Sequence, residues 1–182
     1  QIFVKIIQIT DLHIGSKGED THGVDVRQNF LNILEAVKAE KPDHLVVSGD
    51  LCYMNADLEV YEWIRGHLDA LNMPYSLLSG NHDDTDTLAK AFGLEDEVKD
   101  AQLFYKKKLG NKTCLFLDTS TYFLPDVQLK WLADELDKLD EELLLFIHHP
   151  PLNAGVPFMD NKHALRNMTE VQEILFKYQH PI

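Results

Sequence analysis

The stretch Tyr75-Ser76-Leu77-Leu78-Ser79-Gly80-Asn81-His82-Asp83 runs from an apolar strand pattern into a glycine turn bearing an amide, an imidazole and a carboxylate. In open α/β sheets, ligands bind beyond the carboxyl ends of the strands, so a polar cluster there marks a site. The same pattern recurs on both sides of this stretch. Ile2 to Ile9 is a β-branched apolar run followed by Asp11-Leu12-His13. His44 to Val47 is a second run and leads to Gly49-Asp50, while Leu143 to Ile147 leads to His148-His149-Pro150-Pro151. Polar clusters at four strand ends are expected to converge on one rim.

Helical patterns separate these runs. Val24 to Lys41 carries apolar residues at helical spacing (Phe30, Ile33, Leu34, Val37) and is stopped by Pro42. Ala56 to Leu71 repeats the pattern with Val60, Trp63, Ile64 and Leu68, and a short helix is expected near Leu88 to Phe92. Gln102 to Leu109 and Thr113 to Leu117, joined by Gly110-Asn111-Lys112, read as a hairpin. Asp126, a candidate N-cap, opens a helix through Leu139. A loop with Pro150, Pro151, Gly155 and Pro157 precedes a last helix from His163 to Tyr178. The early βαβ units imply a parallel sheet with right-handed crossovers, and the hairpin implies a mixed or second sheet. The expected fold is α/β, a layered α/β/β/α sandwich of mixed sheets flanked by helices. No repeat or linker divides the chain, so residues 1–182 are expected to be a single domain.

Of the 182 residues, 45% are hydrophobic and 26% charged, an ordinary composition for a globular domain. The formal charge is −13, which opposes binding to nucleic acid or anionic lipid. It does not oppose a phosphate substrate held by divalent cations, whose charge would dominate locally. The two cysteines, Cys52 and Cys114, form no Cys-x-x-Cys pair, so a disulfide scaffold is not expected. Neither a membrane span nor a signal peptide is legible, and a cytoplasmic location is expected. The first residue is Gln1 rather than Met, so the natural start is expected upstream.

Carboxylate, imidazole and amide oxygen together suit divalent Mn, Fe or Zn. Asp11 and His13 lie two apart and can point the same way where a strand ends. Gly49 permits a sharp turn before Asp50, whose two oxygens can bridge two metals. Asn81 adds a neutral oxygen without further negative charge. Each block alone would be an ordinary turn or cap. Their joint order at successive strand ends favours a metal site.

These blocks resemble the calcineurin-like metallophosphoesterase family, whose pattern is Asp-x-His, Gly-Asp, Gly-Asn-His-Asp/Glu, His and Gly-His-x-His. Within it, His-His-Pro-Pro and Gly-Asn-His-Asp are most similar to the bacterial cyclic-nucleotide phosphodiesterase and glycerophosphodiesterase branch. The resemblance implies two divalent metals. Asp11 and His13 would bind the first, Asp50 would bridge both, and Asn81 and His148 would bind the second. A metal-bridging hydroxide would attack phosphorus in line. His82 would stabilise or protonate the leaving oxygen, with Asp83 orienting its ring. His149 and His22 are candidate substrate-binding residues. Gly49-Asp50-Leu51-Cys52-Tyr53 is similar to a purple acid phosphatase motif. Those enzymes have Gly where His13 stands, so Tyr53 is not expected to bind metal.

The Gly-His-x-His block has no counterpart before Ile182. Either the fold is truncated at its C-terminus or the site is incomplete. The expected activity is phosphodiester hydrolysis, with cyclic nucleotides among the candidate substrates. Phosphomonoester hydrolysis on the same site and a non-catalytic protein-binding scaffold are the alternatives. Some relatives dimerise through a C-terminal extension, so a homodimer is a further expectation.

Overall fold

The computed structural model describes residues 4–182. Three parallel strands form the first sheet, in the order β1 (Ile6–Ile9), β2 (His44–Ser48), β3 (Tyr75–Leu78). The central strand β2 is buried along its whole length, which explains its unbroken apolar run. Of the first run predicted from Ile2, Ile6 to Ile9 forms the strand, while Ile2 and Phe3 lie outside the described residues.

The crossovers are α1 (Val26–Glu40) and α2 (Leu58–Asp69), followed after β3 by α3 (Thr85–Phe92). Aspartates begin all three. Asp25, Asp57 and Asp84 accept hydrogen bonds from the amides of Gln28, Glu59 and Thr87, each at 2.9 Å. The Asp84 cap explains why α3 starts three residues before the expected Leu88.

The expected strand Gln102–Leu109 is broken at Phe104. Short β4 (Val98–Lys99) pairs antiparallel with β5 (Gln102–Leu103). Beyond the break, β6 (Tyr105–Leu109) forms the expected hairpin with β7 (Lys112–Leu117). Strand β8 (Leu143–Ile147) joins β7 in parallel, so the second sheet is mixed. Helix α4 (Asp126–Leu136) precedes β8, and α5 (Pro157–Lys162) and α6 (Met168–Leu175) follow it. Pro125 rather than Asp126 is the N-cap of α4. Pro157 opens α5 inside the expected loop, a position where its missing N–H costs nothing.

Alternation in β7 creates the layers. Cys114 and Phe116 point into the cluster containing Leu45, Val47 and Leu77 of the first sheet. Leu115 and Leu117 point the other way, towards Leu132 of α4 and Val171 of α6. Phe116 stacks between Tyr105 and Phe146, at 4.6 and 4.9 Å between ring centres. The Tyr105 hydroxyl donates to the Leu77 carbonyl at 2.7 Å and ties β6 to β3. The result is the expected α/β/β/α sandwich. Among the described residues, no helix is long and apolar enough to cross a membrane.

At the amino end of β2, away from the polar strand ends, His44 is buried with its Nε2 2.9 Å from Ser76 Oγ. Lys107 Nζ donates to Ser76 Oγ at 3.2 Å, leaving the hydroxyl proton for the imidazole. Burial, reinforced by the Lys107 charge, pushes His44 from its ordinary 6.5 down to about 4. The unfolded chain therefore binds more protons between these values, and stability falls as pH drops from 6.5 towards 4. A His44→Gln variant lacks this sensitivity. Its urea midpoint and that of the natural chain should draw together as pH is lowered through this range; curves that stay parallel would contradict the assignment.

Candidate active site

The ladder between β1 and β2 continues past the strand ends. The amides of Asp11, His13 and Ile14 donate to the carbonyls of Gly49, Asp50 and Leu51 at 3.1, 3.0 and 2.9 Å. Asp11, His13 and Asp50 all sit in the left-handed region, at φ 55°, 45° and 52°. Each such residue costs on the order of 1 kcal/mol or more, and such strain concentrates at functional sites. Two glycines permit the close approach. A Cβ on Gly80 would collide with the Asp50 carboxylate and backbone nitrogen, and one on Gly49 would strike the His148 ring.

Asp50 is the hub. Its carboxylate is only 5% exposed. Oδ1 lies 3.5 Å from His148 Nε2 and accepts a hydrogen bond from the His82 amide at 3.0 Å. Oδ2 lies 3.7 Å from His13 Nε2 and 3.9 Å from His82 Nε2. Asp11 Oδ1 stands 3.6 Å from His13 Nε2. Potential ligand atoms therefore gather in two groups that share Asp50: Asp11, Asp50 and His148 in one, His13, Asp50 and His82 in the other. Asp11 thus falls with His148 as well as with its expected partner His13.

His148 is oriented for ligation. Its Nδ1 donates to the Ser48 carbonyl at 2.8 Å, which leaves Nε2 turned to Asp50, where a cation can replace its proton. His149 differs from expectation. Its residue is 2% exposed and both ring nitrogens are engaged, so it does not present itself to a substrate. Nε2 lies 3.0 Å from Asn81 Oδ1, and Thr119 Oγ1 lies 3.0 Å from Nδ1. Burial, with the neighbouring His148 charge, lowers His149 to about 4 and keeps it neutral. A neutral ring with its proton on Nε2 donates to Asn81 and accepts from Thr119. It therefore aims the Asn81 amide and leaves an oxygen lone pair free.

Asp83 also departs from expectation. It does not orient the His82 ring, whose Nδ1 faces the Met54 carbonyl at 3.3 Å. Instead its carboxylate accepts from the amides of Gly80, Leu51 and Cys52 at 2.9, 3.1 and 3.2 Å, and from the Tyr61 hydroxyl at 3.0 Å. Asp83 thereby clamps the loop after β3 to the loop after β2. His22 lies edge-on to Tyr53, ring centres 5.9 Å apart, rather than within the Asp50 cluster.

Sequence reading passed over Asp118 and Thr119, although they too end an apolar strand. Asp118 is fully buried and accepts from the Leu103 amide and the Thr85 hydroxyl at 2.8 and 2.9 Å. The two residues tie the end of β7 to the rim.

The charges are mutually compensating. The His13 contact holds Asp11 down to about 2, and Asp11 in turn raises His13. Burial pushes Asp50 up and His148 down, but their attraction outweighs burial and leaves Asp50 lowered and His148 raised. Such a pocket concentrates negative oxygen and basic nitrogen where a cation can replace protons.

Residues 4–179 match the family model described as calcineurin-like phosphoesterase, and the chain belongs to that family. It is 38% identical to a probable cyclic nucleotide phosphodiesterase of Fibrobacter succinogenes, over 96% of this chain and 68% of that protein. It is 31% identical to a 3′,5′-cyclic adenosine monophosphate phosphodiesterase of Escherichia coli, over 97% and 66%. It is 28% identical to a probable glycerophosphodiester phosphodiesterase of Arcobacter nitrofigilis, over 96% and 67%. The chain thus spans about two thirds of the length of these relatives. A dimetal phosphatase from Danio rerio has the same fold, with a TM-score of 0.73 at 15% identity over 97% of this chain and 78% of that one.

The collision at Gly80 yields a test. A Gly80→Ala substitution should cost on the order of 1–3 kcal/mol of stability by overpacking and displace the Asp50 carboxylate. Calorimetric titration with Mn²⁺ should then show metal affinity weakened by at least tenfold; unchanged affinity would show that the close approach is dispensable.

Proposed function

We propose that the chain is the core of a metal-dependent phosphodiesterase, one catalytic domain in which Asp50 would serve two divalent cations. The observation that carries this is the pair of Asp50 oxygens, one facing His148 and the other facing His13. The donor set fits such ions: two carboxylates, two imidazoles with a free nitrogen and one amide oxygen, a borderline-to-hard mixture. Asp11 and His13 would hold one cation, Asn81 and His148 the other. When bound, the pair supplies Lewis-acid stabilisation at phosphorus and a strong oxygen nucleophile at neutral pH.

The chain's own groups supply the rest. His149 fixes the Asn81 oxygen, and Ser48 fixes the His148 ring. His82 is half-buried at the rim, its Nε2 turned towards Asp50 and its Nδ1 facing the Met54 carbonyl. From there it reaches a leaving oxygen and can give it a proton. The relatives named as cyclic nucleotide and glycerophosphodiester phosphodiesterases support diesters as the substrate class.

The natural gene product with Mn²⁺ should hydrolyse bis-p-nitrophenyl phosphate faster than p-nitrophenyl phosphate. A preference for the monoester would replace the diesterase reading. Absence of turnover on both, with metal bound, would favour a binding scaffold. Exchange of His82 for Ala should retain metal and slow hydrolysis by about 10²–10⁴-fold for poor leaving groups, less for p-nitrophenolate. Equal losses on both would remove His82 as the proton donor.

A further inference from the structure

We infer that the rim beyond Asn81 carries a subsite for a planar heteroaromatic group, the base of a nucleotide, built on Tyr122, His163 and Phe158. The inference takes its phosphate-bearing ligand from the phosphodiesterase reading, but its geometry stands apart from it.

Aromatic rings step outward from the cluster. His148 and His149 meet edge-on at 4.7 Å, and His149 lies against Tyr122 at 4.2 Å. The Tyr122 hydroxyl is 3.2 Å from His163 Nδ1, and the His163 ring is 4.8 Å from that of Phe158. At the outer end Phe158 is 58% exposed, so this succession is not simply core packing. Leu152 and Val156, in the loop just before α5, are also about half exposed, at 52% and 48%.

Tyr122 is held there against its backbone preference. Its φ is +60°, an outlier for a bulky side chain. The Tyr122 amide donates to the Thr119 carbonyl, and the Tyr122 carbonyl accepts from the Arg166 amide, both at 2.8 Å. Thr119 also supports His149. The ring's position is therefore coupled to the group that aims Asn81.

The charges beside these rings select among ligands. The Arg166 guanidinium lies 5.8 Å from the Tyr122 ring centre, and Lys162 Nζ lies 5.5 Å from that of Phe158. Two cations in a chain of net charge −13 repel the quaternary ammonium of a choline headgroup, which aromatic rings would otherwise attract. A glycerol moiety has no π-face to stack. A nucleobase has such a face and carries ring nitrogens and carbonyls that accept from Arg166 or His163.

Calorimetric titration of the Mn²⁺-loaded natural gene product with AMP and with ribose 5-phosphate tests this. AMP should bind at least tenfold more tightly, and Phe158→Ala should bring that ratio to within about threefold of unity, as loss of one stacking ring does. Phe158→Tyr keeps the ring and should restore the ratio. Equal affinities in the unaltered protein, or a ratio unchanged in Phe158→Ala, would overturn the subsite. An AMP preference in a protein that hydrolyses no diester would support the subsite while counting against the phosphodiesterase activity. Diester hydrolysis without that preference would do the reverse.

Discussion

The rim depends on one constraint, the close approach of two backbone loops to a buried carboxylate. Asp50 lies where the turn after β2 meets the turn after β3, and neither Gly49 nor Gly80 has space for a side chain. Parallel pairing of β1, β2 and β3 puts all three carboxyl ends on one side, so residues far apart in sequence share that space. Asp83 then locks the two turns together through three backbone amides and the Tyr61 hydroxyl. The left-handed backbone at Asp11, His13 and Asp50 is tolerated because the extended ladder over-determines it.

Electrostatics reinforce the same conclusion. Two carboxylates at one partly buried rim repel unless cations lie between them. Here imidazoles serve, with His13 and His148 raised and Asp11 and Asp50 lowered. Divalent cations would take over that compensation, and their binding to the folded form alone would stabilise it by mass action. The neutral supports differ in kind. Ser48 and Thr119 carry no charge, and burial keeps His149 neutral, so they fix direction without competing for the metal.

Much of this was legible in the sequence because the periodicity and the chemistry agree. Apolar runs of strand length end in Asp11, Asp50, Asn81 and His148, and the structure brings these residues to one rim. The layered sandwich followed from the βαβ units and the hairpin at Gly110-Asn111. The roles of Asp83 and His149 were not legible. Proximity in sequence suggested His82 as the partner of Asp83, whereas its partners are amides at positions 51, 52 and 80 that no side-chain pattern marks. Position at the strand end marked His148 as the ligand and His149 as a substrate-facing residue, but nothing in the sequence showed that the His149 ring is buried beneath Asn81. The break at Phe104 and helix α5 are short elements without enough residues to show a period. Asp118-Thr119 did carry the signal, a polar pair after an apolar strand.

Electron paramagnetic resonance of the Mn²⁺-saturated protein tests the bridging carboxylate most directly. Two cations sharing Asp50 should give an exchange-coupled dinuclear spectrum that disappears in Asp50→Ala. A saturated protein showing only the six-line signal of isolated Mn²⁺ would contradict a shared site.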